Sequence, residues 1–285
     1  MKRFRWLAAV ILAAAMALPA GCAAQSGDAA PDRTPEKDYP VEVYDVTVTA
    51  CPQRIVSLSP AVTEVLIALG NEAQLAGVSD VCVIERDLPR VGTTPAPDTE
   101  AIAALRPDLI FTTTALSESD RKALTASGAL VIPVPGATRY AALLDQYTQI
   151  AQAVSGAITG ARNASRTLDR LDSRLKALRS DKRVKVVVYY TPSLLIPTGG
   201  LANELLAFAG AINAAPGERA SDEQVTASGV EVILCAEENA AALQQRFPDV
   251  RVLPFDVTAL ETSGERLAAA LEGLKAALWD ADEKN

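Results

Sequence analysis

The chain has 285 residues, with 27 Lys and Arg against 35 Asp and Glu, no His, and a net charge of −8. An acidic balance argues against nucleic-acid partners, which call for a basic footprint. The absence of His removes the commonest transition-metal ligand and the commonest general base, which disfavours catalytic triads, zinc hydrolase sites, His-ligated haem and bare zinc or manganese carriage.

The start reads as an export signal. Lys2, Arg3 and Arg5 precede an apolar run over 6–20, which is too short to span a bilayer at the ~20 residues required. Removing residues 1–21 takes away those three basic residues and no acid, so the net charge falls from −8 to −11. The segment Leu18-Pro19-Ala20-Gly21-Cys22 resembles the bacterial lipoprotein processing box, which implies lipidation of Cys22, although Pro19 stands where that box has an aliphatic residue. Residues 22–39 are rich in Ala, Asp, Pro, Ser and Gly and read as a flexible tether.

Residues 41–43 and 45–48 alternate at period two, as a hairpin does. A strand over 54–58 leads into Ser59-Pro60, an N-cap followed by Pro at the first helical position, and a helix that stops at Gly70. Strands over 75–79, 109–113 and 129–134 alternate with helices over 98–105 and 119–127, the mark of a parallel sheet. From 140 to 178 apolar residues recur at helical spacing, with a break at Ser155-Gly156 and a helix of about 35 Å over 157–179 at ~1.5 Å per residue. The α/β pattern then resumes. Strands are expected over 184–190, 230–234 and 250–255, helical segments over 201–209, 223–227 and 240–246, and a closing amphipathic helix over 264–279.

One phrase occurs twice. Thr63-Glu64 followed by an apolar run to Gly70 returns as Asn203-Glu204 followed by an apolar run to Gly210, each after a strand. The repetition indicates two similar lobes, and proteins of this kind commonly hold something between them. The expected organisation is a signal over 1–21, a tether over 22–39, an N-terminal lobe over 40–139, connecting helices over 140–180 and a C-terminal lobe over 181–285.

Four blocks carry a family resemblance: PQRIVSLSPAVTEVLIALG at 52–70, LPRVGTTPAPDTEAIAALRPDLIFTT at 88–113, PTGGLANELLAFAGAINAA at 197–215 and SDEQVTASGVEVIL at 221–234. In this order, around one long helix, they resemble the cobalamin and iron-complex solute-binding proteins of ABC importers, the class III type with a helical backbone. The resemblance covers about 40–280. It implies an α/β fold of two lobes, each a parallel sheet flanked by helices, joined by one long rigid helix. It implies no enzyme and no resident cofactor. The expected partners are an ABC importer permease, a corrinoid, siderophore or haem-like ligand, and the membrane through the lipid anchor, with the chain a monomer at the extracytoplasmic face, on the cell surface or in the periplasm. It further implies a surface Glu on each lobe that docks on the permease, at Glu64 and Glu204. By themselves these carboxylates, in the first turns of their helices, equally suit the helix dipole.

Ligands of open α/β sheets sit beyond the carboxyl ends of the strands. That rule selects Ser59, Pro60, Thr94, Thr114, Tyr190, Pro197 and Thr198 as cleft residues, together with the loop at 81–86. No Trp remains for a cleft, and Tyr189 or Tyr190 is the best-placed aromatic. An anionic siderophore calls for Arg, for which Arg86, Arg90, Arg139 and Arg219 are candidates by position. Cys82 and Cys235 read as small buried residues, and a Cys51–Cys82 disulfide is geometrically poor. An alternative reading, prompted by the aromatic-poor cleft, is a surface or assembly protein that keeps the fold without a ligand.

Overall fold

The computed structural model describes residues 38–114, 116–262 and 264–279. The signal peptide and Cys22 lie outside the described residues. The expected hairpin is present as β1 (Val41–Val43) and β2 (Val46–Val48), joined through Tyr44 and Asp45, both at positive φ as a tight two-residue turn demands.

The first half contains β3 (Ile55–Ser57), α1 (Pro60–Ala68), β4 (Leu75–Val78), the small hairpin β5 (Gly92–Thr93) and β6 (Ala96–Pro97), α2 (Thr99–Leu105), β7 (Leu109–Thr113), α3 (Glu118–Ala126) and β8 (Leu130–Val134). Its sheet has the order β4-β3-β7-β8, all parallel. Two helices follow, α4 (Tyr140–Ser155) and α5 (Ala157–Ala177). The second half contains β9 (Val184–Thr191), β10 (Leu194–Leu195), α6 (Gly200–Phe208), β11 (Ala211–Asn213), α7 (Asp222–Ala227), β12 (Val232–Cys235), α8 (Glu237–Arg246), β13 (Arg251–Pro254) and α9 (Glu265–Trp279). Strand β9 pairs in parallel with β11 on one side and with β12 on the other, and β12 pairs with β13.

The two sheets therefore repeat one plan. The order β11-β9-β12-β13 matches β4-β3-β7-β8, and α6 stands where α1 does, α7 where α2 does and α9 where α4 does. Both copies of the repeated phrase end alike: Gly70 has φ +81° and Gly210 φ +80°, and each donates its N–H back to a helix carbonyl, Ile67 O at 2.9 Å and Ala207 O at 3.1 Å. Only glycine adopts this left-handed stop cheaply.

Strands β10 and β11 are additions to the sequence reading, being two and three residues long and so too short to show a period. The break at Ser155-Gly156 is real: Gly156 has φ +85° and turns the chain between α4 and α5. These two helices pack backbone to backbone, since a Cβ built at Gly160 would lie 2.4 Å from Ala151 O. The seam of α5 is thus satisfied within the chain. One apolar core runs through both halves, from Ile55, Leu66 and Leu109 through Tyr147, Leu171 and Leu175 to Val186, Leu205, Leu234 and Leu267.

Candidate functional site

The residues selected at the strand ends divide into two groups. Ser59 is buried and caps α1, its Oγ accepting from Val62 N at 3.4 Å, with Pro60 next to it at the first helical position. Thr94 is also buried, and its hydroxyl donates to Leu58 O at 2.9 Å. These two side chains hold the β3–α1 turn. Thr114, Pro197 and Thr198 are exposed, and Pro60 and Tyr190 are half-buried. The Tyr190 hydroxyl donates to Glu261 Oε2 at 3.5 Å, and the Glu261 charge raises the phenol above its ordinary range.

A cavity of ≈ 630 Å³ lies at the junction of the halves, and of the expected cleft residues only the 81–86 loop contributes to its lining. The first half contributes Glu64, Ile67 and Ala68 of α1, Glu72, and Val83 to Glu85 from the loop after β4. The connecting helices contribute Tyr147, Thr167, Arg170 and Leu171, and the second half contributes Gly264, Glu265 and Arg266. The loop was legible from the strand-end rule, and its Val81 and Val83 stand 62% and 66% exposed. The residues of α5 and α9 were not, because a helix face lining a cavity has the same periodicity as one packed on a core.

Glu64 and Glu204 occupy matched places. Glu204 is exposed, but its Oε2 accepts the backbone N–H of Tyr140 at 2.7 Å and so caps α4, whose own N-cap residue Arg139 makes no side-chain cap. Glu64 has a buried Oε2 at the start of α9, where a Cβ built at Gly264 would lie 3.4 Å from it. Each carboxylate thus faces the start of a helix that follows the last strand of the other half. Of the surface Glu expected at each place, Glu204 is exposed but caps α4, and Glu64 is half-buried. A second matched pair is exposed: Glu100 and Glu223 each lie two residues after the N-cap of α2 and α7, at Asp98 and Ser221.

The four arginines proposed for an anion are placed elsewhere. Arg90 donates to Ser79 O and Cys82 O at 3.0 and 2.6 Å, and Arg86 to Glu72 O at 2.8 Å. Arg139 and Arg219 are exposed and are not among the cavity's lining residues. Cys82 and Cys235 are free, buried thiols whose pKa values burial pushes up. Cys82 Sγ lies 3.2 Å from Thr63 Oγ1, which also donates to Ser57 Oγ at 2.9 Å, so the cluster braces α1 against β3.

Residues 55–250 match the sequence profile of the family described as periplasmic binding protein. The chain belongs to that family. It is 25% identical over 279 residues to a cobalamin-binding protein of Halobacterium salinarum, covering 94% of this chain and 73% of that one. It is also 25% identical over 308 residues to the uncharacterized ABC transporter substrate-binding lipoprotein YvrC of Bacillus subtilis, covering 98% of each. Among solved structures, the periplasmic heme-binding protein HutB of Vibrio cholerae superposes with a TM-score of 0.71 at 21% identity, covering 80% of this chain and 99% of that one. The periplasmic vitamin B12-binding protein BtuF of Vibrio cholerae gives 0.64 at 21%, covering 81% and 98%. These likenesses show the class III fold. The family is one of extracytoplasmic binding proteins of ABC transporters and not of enzymes. Among the described residues no helix is long and apolar enough to cross a membrane.

Proposed function

We propose that this chain is a lipid-anchored solute-binding protein that captures a metal chelate of the corrinoid, haem-like or ferric siderophore class between its halves and delivers it to an ABC importer. The observation that carries this reading is a ≈ 630 Å³ cavity with walls from both halves of a duplicated α/β fold. Its volume lies within the ~300–1,000 Å³ of small-molecule sites. Exposed Thr114, Pro197 and Thr198 and half-buried Tyr190 stand at strand ends, the edge at which open α/β sheets bind ligands. Lipidation at Cys22 tethers the body through residues 23–37, and a Cys22→Ser variant that stays in the membrane fraction would argue against the anchor.

Docking on the permease is assigned to Glu100 and Glu223. They are exposed and symmetry-matched, and each is favoured at a helix N-terminus, whereas Glu204 caps α4 and Glu64 is half-buried. Titration calorimetry against cyanocobalamin, haemin and ferric siderophores tests capture, with submicromolar binding of at least one expected. Failure of every compound would favour the second reading, a surface or assembly protein without a ligand, which the scarcity of aromatic side chains around the cavity supports.

A further inference from the structure

We infer that the cavity between the halves selects for chelates with an apolar face and no net negative charge, and rejects anionic ones. The inference rests on the binding-protein reading above and adds the charge class of the ligand. The walls are apolar at Ile67, Val83, Ile84 and Leu171. The charged lining is unevenly compensated. Arg266 is held by Asp256, with Nε and Nη2 bonds of 2.8 and 2.9 Å, and Glu265 pairs with Arg174. The lining as a whole carries four carboxylates, Glu64, Glu72, Glu85 and Glu265, against two guanidiniums, Arg266 and Arg170, the latter with its Nη2 turned to Thr167 Oγ1 at 3.5 Å.

A multiply anionic chelate needs several guanidinium or backbone N–H donors aimed at it. Arg86 and Arg90 each turn Nη1 to backbone carbonyls, and none of Arg86, Arg90, Arg139 and Arg219 is among the lining residues. Bringing such an anion beside the lining carboxylates adds like-charge repulsion in a partly desolvated space. A neutral or cationic chelate meets neither obstacle, and its apolar face matches the aliphatic wall.

The test is titration calorimetry of the purified chain against four probes: cyanocobalamin (uncharged), the cationic ferric trihydroxamate ferrioxamine B, a ferric tris-catecholate (net −3) and haemin (two propionates). We expect an uncharged or cationic probe to bind at least tenfold more tightly than either anionic one. Glu72→Lys with Glu85→Lys should shrink that ratio at least tenfold, while Glu72→Gln with Glu85→Gln gives an intermediate ratio. Equal or tighter binding of an anionic probe by the unaltered chain overturns this inference and leaves the binding-protein reading standing. Binding of no probe overturns both. If the Lys variant fails to fold, the ranking by the unaltered chain and the Gln variant still decides the question.

Discussion

The backbone N–H of Tyr140 donates to Glu204 Oε2 at 2.7 Å, so a carboxylate of the second half caps the helix by which the chain leaves the first. The bond spans 64 residues, and the Tyr140 ring packs edge-on against Phe208 of the same helix as Glu204, at 5.4 Å between centroids. Glu204→Ala should lower stability by about 1–2 kcal/mol, the usual worth of a helix cap with a charged acceptor. Glu204→Gln keeps the acceptor and should lose only the dipole contribution, ~0.3–1 kcal/mol. Urea unfolding midpoints of the three proteins check the order.

Docking and capping separate in a paired experiment. Glu100→Arg with Glu223→Arg should abolish ligand uptake by whole cells while leaving ligand affinity unchanged and costing only the two helix-dipole contributions, ~0.3–1 kcal/mol each. Glu64→Arg with Glu204→Arg should instead cost at least ~2 kcal/mol of stability, because it buries a cation at one helix start and removes the cap of another. A Glu64/Glu204 variant as stable as the unaltered chain, yet dead in uptake, would return the docking role to that pair.

Gly160→Ala tests the contact of α4 with α5. Helix propensity alone favours Ala by about 1 kcal/mol. The added methyl would meet Ala151 O at 2.4 Å and Gln152 Cα at 2.5 Å, backbone atoms that cannot step aside singly. Overpacking of this sort costs about 1–3 kcal/mol, so a net loss in the unfolding midpoint is expected. A gain would mean that the two helices part without penalty.

Acid should weaken the second half through two ion pairs. The hydrogen bonds of Arg246 hold the Asp222 carboxyl below its ordinary range, and those of Arg174 do the same for Glu272. A depressed folded pKa stabilises above the unfolded value, near 4, and that stabilisation disappears as pH falls through the folded value. The two acidic side chains are 43% and 42% exposed, so each pair contributes only ~0.2–1 kcal/mol. Thermal unfolding from pH 7 to pH 3 should therefore show a decline that Asp222→Asn with Glu272→Gln makes shallower. Raised salt should blunt the same difference.

Most of the elements were legible because they depend on near neighbours in the chain. Ser59-Pro60 starts α1, Gly70 and Gly210 stop their helices, and Gly156 breaks the long helical pattern, each by a local conformational preference. The boundaries erred where a neighbour in space decides: α5 ends at Ala177 and α8 begins at Glu237, rather than at 179 and 240. The site was harder to read. Ser59 and Thr94 have the hydroxyls a cleft would use, yet both point into the turn they hold.

By itself the sequence determined the alternation of strands and helices, the duplication and the absence of His chemistry, because spacing and composition carry those directly. Only the tertiary structure decided what the repeated Glu does. A carboxylate just past the first turn of a helix serves a dipole, a partner or a distant backbone N–H equally well in sequence. The packing of α6 beside α4, and of α1 beside the start of α9, set which of these each one meets.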